Sequence, residues 1–312
     1  MSAGYRIVHQ TEYHYASAVQ LSRQVLRSTP RNTRFQRRLS HAIRVDPHPS
    51  EWFEREDFFG NALVQFALQS PHQRLVVDIT SHVLVQSRNS PAQGFPGPAW
   101  EQVRDGLQQG SGTPFLDPAQ YLFASPHVPT TPRFAAYARP SFTPGRPLLV
   151  AVGHLNHRIY QDFRYDPLAT NISTPIETVL RKKRGVCQDF AHLLIACLRA
   201  VGLAARYVSG YLLTHPAPGK ERLVGADASH AWVSVYCPEQ GWVDLDPTND
   251  LWVDQEHITV AWGRDFSDVS PLRGVILGGE AHELEVQVTV QPEPLAPGTS
   301  CGDDCDGTMT QS

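Results

Sequence analysis

With 312 residues, 41% of them hydrophobic and 19% charged, the chain has the composition of a globular protein with a sizeable core, not of a disordered one. A formal net charge of −4 provides no global field for nucleic acid or an anionic membrane, and the densest apolar runs, near 148–152 and 193–198, are too short to span a bilayer. Five cysteines without framework spacing, and a start lacking a basic stretch followed by an apolar one, lead to the expectation of free thiols and a cytoplasmic location.

Residues 1–90 are predicted to be β-rich. Runs of aromatic and β-branched residues occupy 5–15, 40–45, 63–68 and 74–85, and turn signals at Asp46-Pro47-His48-Pro49 and Gly60-Asn61 separate them. That pattern predicts an antiparallel sheet or small sandwich. Between 89 and 98 the composition shifts to Pro, Gly, Ser and Gln, a connector, and short helices are predicted near 100–107 and 147–160.

The middle of the chain carries more information. Thr174-Pro175-Ile176-Glu177 predicts a helix start with Thr174 as N-cap, and the helix is expected to reach Arg184 and stop at Gly185. A second helix is predicted to open near Cys187. Its apolar positions Phe190, Leu193, Leu194, Cys197, Leu198 and Val201 follow an i, i+3, i+4 series, and Gly202 marks its end. A strand over 206–213 follows. Then come two strands, 230–236 and 242–246, joined by the turn Cys237-Pro238-Glu239-Gln240-Gly241. A late strand is expected over 286–290, and a disordered tail after Pro292.

Thiol-dependent acyl transfer needs a sulfur nucleophile, a nearby imidazole, and a group that fixes the imidazole's tautomer. Cys187 stands at a helix start, where unpaired N–H groups favour negative charge, and Arg181-Lys182-Lys183-Arg184 adds positive potential. Side chains alternate along a strand, so His230, Trp232, Ser234 and Tyr236 share one face, and Trp242, Asp244 and Asp246 share a face of the returning strand. If Tyr236 pairs with Trp242, His230 lies diagonal to Asp246; in a register one residue tighter at each end, the two are directly opposite. Both registers bring them within about 4.5–8 Å at the backbone level, with Asp244 farther away. Asp246 is therefore the better orienting acid.

Other residues fit less well. His192 lies about 140° around the helix from Cys187 and reads as a polar flank of that helix. Cys197 falls on the apolar stripe, and Cys237 sits in the turn. Cys301 and Cys305, in the acidic CGDDCDG segment, offer too few soft ligands for a metal site. The RKKR run lacks the aromatic interleaving of a nucleic-acid surface. Trp232 and Trp242 are candidates for lining a substrate groove, with packing as the competing role. Arg264, Asp265 and Asp268 are expected to hold a loop rather than to act in chemistry.

The segments RGVCQDFAHLLIACLRAVGLAARYVSGYL (184–212), SHAWVSVYCPEQGWVDLDPTND (229–250) and VAWGRDFSDVSPLRG (260–274) resemble, in order and context, the Cys, His and Asp blocks of the bacterial transglutaminase-like family. The resemblance is strong over about 160–274 and weaker over the β-rich region before it. It implies an α+β fold: a papain-like, transglutaminase-like core, with the helix carrying the Cys packed on an antiparallel sheet, behind a β-rich N-terminal domain. The expected division is 1–90, a connector with short helices over 91–155, the core and C-terminal strands over 156–292, and a tail over 293–312. By motif Cys187 is the nucleophile, His230 the base and Asp246 the orienting acid, the same positions reached above from the helix start and from the strand geometry.

The backbone N–H of Cys187 would contribute to the oxyanion hole, with Gln188 and Tyr165 both open as second donor or substrate contact. Animal transglutaminases carry a tryptophan directly after the cysteine, where this chain has Gln188. Calcium regulation is therefore not carried over, and no metal or cofactor is expected. The implied activity is amide-bond chemistry through a thioester on a peptide or protein substrate, with hydrolysis by a peptidase or amidase expected. Glutamine-directed transfer to an amine is the alternative, and a non-catalytic peptide-binding module is another. No nucleic-acid or membrane partner is expected, and the oligomeric state stays open.

Overall fold

The computed structural model describes residues 2–88, 97–110, 117–215 and 229–294. Most of the expected connector at 89–98, and the tail beyond 294 with Cys301 and Cys305, lie outside the described residues. Among the described residues no helix is long and apolar enough to cross a membrane. Two antiparallel sheets with helices packed against the second give the α+β architecture that the motifs imply.

The N-terminal sheet is organised around one strand, β1 (Ser2–Leu26), about 80 Å of extended chain. Its neighbours are β2 (Gln36–Asp46), β3 (Glu51–Glu56), β4 (Ala62–Leu68) and β5 (His72–Gln86), in the order β2-β5-β1-β4-β3. The first half of β1 pairs with β5, and its second half pairs with β4. The ladder to β5 is interrupted between His14 and Val19, where Val19 pairs with His72, and Ser22 to Leu26 then pair with β4. A core of Tyr15, Val19, Leu26, Phe66, Leu68, Leu75, Val77 and Ile79 lies on this sheet. Each such aliphatic side chain stabilises the fold by about 1.5–3 kcal/mol when fully buried.

Two late strands complete the same sheet. β13 (Leu272–Gly278) and β14 (His282–Glu293) both pair antiparallel with β1, on its second and first halves respectively. The stretch 272–292, grouped above with the catalytic core, is therefore returned to the N-terminal sheet. Backbone pairing decides this, because β1 is long enough to accept four partners and only its Cα register, not local composition, shows which.

The second sheet has the order β11-β10-β9-β8-β12: β8 (Ala205–Leu212), β9 (Ser229–Cys237), β10 (Gly241–Asp246), β11 (Leu251–Trp252) and β12 (His257–Gly263). Trp242 pairs with Tyr236, the looser of the two registers considered. The helices are α1 (Trp100–Gln109), α2 (Pro132–Ala138), α3 (Leu148–Asp162), α4 (Ile176–Lys182), α5 (Cys187–Ala200) and the short α6 (Phe266–Val269). Helix α5 is buried from Asp189 to Arg199, on nearly every side, which marks it as the central helix of the core.

Helix α4 departs from expectation at both ends. Pro175 is its N-cap, and the Thr174 hydroxyl is spent on a turn with Asn171 instead. It stops at Lys182 because Lys183 takes a left-handed backbone (φ 57°), after which Arg184–Gly185 (β7) pairs with Arg164–Tyr165 (β6). His192 departs as well: it is 3% exposed, not a polar flank. Its Nε2 accepts the Phe266 N–H at 3.1 Å, its ring stacks on His127, and burial pushes its pKa down to about 3.

Candidate functional site

Cys187 is the first residue of α5. Val186, the N-cap, has no acceptor in its side chain, so the first-turn N–H groups have no side-chain cap. Asp189, in the third helical position, turns back to accept the Val186 N–H at 2.8 Å and the Thr170 hydroxyl at 2.6 Å. That places its carboxylate against Gly185, where an added Cβ would lie 2.6 Å from Asp189 Oδ2. The sequence Gly-Val-Cys-Gln-Asp thus fixes where the helix begins, and Cys187 emerges at its N-terminus as a half-buried free thiol.

His230 is the second residue of β9, opposite Gly210 of β8. Its Nε2 lies 2.7 Å from Asp246 Oδ2. Because a carboxylate only accepts, Nε2 carries a proton and Nδ1 is the ring atom left for the sulfur. Burial disfavours the charged ring, but hydrogen bonds to Asp246 and Cys187, together with their charges, outweigh it and raise the His230 pKa to about 10.

Asp246 is fully buried at the end of β10. Besides His230, its Oδ2 accepts from Asn249 Nδ2 at 2.7 Å and from His257 Nε2 at 3.2 Å. Its Oδ1 accepts the N–H groups of Thr248 and Asn249 at 2.9 and 3.3 Å, an Asx turn built on Asp246 itself. Burial alone would raise its pKa; the hydrogen bonds from the two histidines overcome that and hold it well below the usual carboxylate range. From α3, Asn156 donates to the Asp246 carbonyl and to Asp250, and His157 bonds Asp250, so the turn after Asp246 is tied to the helical layer.

Trp232 lies under this network, with no exposure, its indole 6.2 Å from the His230 ring and 5.3 Å from that of His257. Gly210 makes room for it: a Cβ there would come within 2.4 Å of the indole and 2.1 Å of the Ile258 carbonyl. The ligand atoms of His230, Asp246 and His257 all fall within 4.8 Å of one another, close enough to be tested as a metal site. A tetrahedral cation with bonds near 2.0–2.1 Å would hold ligand atoms roughly 3.3 Å apart. The 2.7 Å contact between His230 and Asp246 is that of a proton-bridged pair.

Cys187, His230 and Asp246 are thus brought together. The remaining candidates separate. Tyr165 is 54% exposed and pairs with Gly185, two residues before Cys187, and Gln188 is half-buried in the first turn of α5. Trp232 is a wall beneath the imidazole, too buried to line a groove. Trp242 pairs with Tyr236, six residues or about 20 Å of strand from His230, and packs on Arg206 and Tyr121. Arg264 and Asp268 bond each other, and Asp265 holds the His127 and Ser267 N–H groups, so these three organise a turn. Asn249 and His257 were missed. Asn249, three residues after Asp246, follows from Asx-turn chemistry; His257, at the start of a strand three ladders from that of Asp246, carries no local signal.

Residues 5–84 match the bacterial transglutaminase-like N-terminal region, and 136–247 match the transglutaminase-like superfamily. An uncharacterised protein of Mycobacterium tuberculosis is 44% identical over 300 residues, 92% of each chain. The chain belongs to the transglutaminase-like superfamily. Its transglutaminase-like core is also 34% identical over 98 residues to a protein-glutamine gamma-glutamyltransferase of Pseudomonas aeruginosa, covering 29% of this chain and 15% of that one. Among solved structures, a Cytophaga hutchinsonii protein described as a candidate cysteine protease superposes with a TM-score of 0.73 at 20% identity, over 95% of this chain and 92% of that one. That likeness is one of fold.

Proposed function

We propose that this transglutaminase-like protein is a cysteine-dependent amide-bond enzyme working through a thioester, and that its acyl-enzyme is resolved by water. The observation that carries the reading is the continuous chain from Cys187 to His230 to Asp246, with a 2.7 Å bond holding the imidazole and its pKa raised to about 10. The Cys187 sulfur attacks the amide carbonyl, and the oxyanion develops beside the uncapped N–H groups of α5. The His230 imidazolium protonates the departing amine. Neutral His230 then takes a proton from water as its oxygen attacks the thioester, which releases the acid and restores the thiolate beside the imidazolium. Asp246 stays ionised throughout and stabilises the imidazolium.

Transfer to an amine uses the same three residues, and the local identity to a protein-glutamine gamma-glutamyltransferase favours it as the second reading. The test is incubation with a glutamine-containing peptide library, with and without a fluorescent primary amine, followed by mass spectrometry. Hydrolysis predicts peptide cleavage or deamidation with no incorporated label, lost in Cys187→Ala. Label incorporated in place of hydrolysis selects transfer. A cysteine-independent product contradicts both.

A further inference from the structure

We infer that His257 is a positioning residue: by donating its Nε2–H to Asp246 it fixes the carboxylate that orients His230. The inference rests on the reading of Cys187, His230 and Asp246 as one reacting unit. At 2% exposure His257 cannot touch substrate. Its Nε2 lies 3.2 Å from Asp246 Oδ2, an atom that only accepts, so the proton of that bond belongs to His257. Its Nδ1 is buried and meets no hydrogen-bond partner among the described residues, the place where a second ring proton would need an acceptor. Burial, the largest influence, favours the uncharged ring, and the nearby His230 and Arg88 charges act in the same direction against the pull of Asp246.

A neutral donor at this place does something that a cation could not. It restrains the carboxylate without competing with His230 for the negative charge. Three donors, from His230, Asn249 and His257, converge on Oδ2, so rotation of the Asp246 carboxylate would break all of them together. His257 reaches Asp246 from β12, across a sheet face where Gly210 has no side chain to obstruct it and the Trp232 indole meets the His257 ring edge-on.

The experiment compares the rate at which iodoacetamide alkylates Cys187, read by mass spectrometry, in wild type, His257→Leu, His257→Gln and His230→Ala. His257→Leu removes the donor and is expected to slow alkylation about tenfold, the factor that one charge-assisted hydrogen bond is worth. His257→Gln presents an N–H in nearly the same place and is expected to stay within about threefold of wild type. In 15N-labelled wild type at pH 7 the His257 ring is expected to be neutral, with its proton on Nε2; this reading needs no variant to fold. A His257→Leu rate equal to wild type, beside a slowed His230→Ala, overturns the role of His257 alone. So does a His257→Gln as slow as His257→Leu, or a ring protonated on Nδ1. A His230→Ala rate equal to wild type takes down the underlying reading as well.

Discussion

A carboxylate without solvent contact is costly unless its charge is met, and Asp246 meets the cost with hydrogen bonds at both oxygens. The pairing has a pH signature. The His230 pKa is raised to about 10 from an unfolded value near 6.5, so the folded state holds the proton more tightly. Its stabilisation is full below about pH 6.5 and is lost as pH rises through about 10. Asp246 is depressed, so its share is present above the unfolded carboxylate value and lost as pH falls through the folded one. Both describe one ion pair and are not summed. Urea unfolding between pH 6 and 10 is predicted to show falling stability in wild type and a flatter profile in His230→Gln; parallel profiles would refute the assignment. At this scale the sequence was informative, because a cysteine at a helix start and a His and Asp on facing strands are defined by residue type and spacing. Asn249, three residues after Asp246, is a local contact, whereas His257 acts through tertiary approach, which spacing does not encode.

At the scale of elements, the placement of the nucleophile depends on two close approaches. Asp189 folds onto Gly185 to start α5, and Trp232 lies over Gly210 beneath His230. Gly185→Ala is predicted to cost about 1–3 kcal/mol in denaturant unfolding, because the Asp189 carboxylate must leave the Val186 N–H or the backbone must shift. Gly210→Ala meets a carbonyl and a fully buried indole, neither of which can yield, and is predicted to be at least as destabilising. The helix at 187–200 and the hairpin at 229–246 were legible from periodicity and turn chemistry. The strand β3, Glu-Trp-Phe-Glu-Arg-Glu, was not: it is an exposed edge whose charged residues suit an edge and conceal strand character. The strand β12 was hidden inside a motif read for its charged residues.

At the scale of the molecule, the N-terminal sheet is more than an appendage. Tyr5, Ile7, Val83, Val85, Val288 and Val290 belong to the same apolar cluster as α3, α5 and the second sheet. The outer edge of β12 is closed by side chains from the other sheet's domain. Buried Gln36 bonds the Thr259 N–H and C=O, buried Asn61 bonds those of Trp262, and Arg31 lies over the Trp262 ring. These amides take the place of a neighbouring strand. Asn61→Ala leaves buried β12 groups unpaired and is predicted to cost about 1–3 kcal/mol, measured by thermal or urea unfolding. A fragment beginning at 97 is predicted not to fold cooperatively, which circular dichroism and calorimetry would check. The sequence divided the chain at its composition shift; it did not reveal that the last strands return to β1, since long-range pairing leaves no local trace.

Whether Cys187 and His230 act as a pair is tested most directly by the alkylation of Cys187 against Cys197 and Cys237 in the same chain. Burial pushes both reference thiols up from their ordinary range and both are inaccessible, so they report opening of the fold. At pH 7 Cys187 is predicted to react far faster than either, and His230→Ala to slow it by about tenfold or more with the reference thiols unchanged. Equal rates with and without His230 in a folded variant would contradict the pairing.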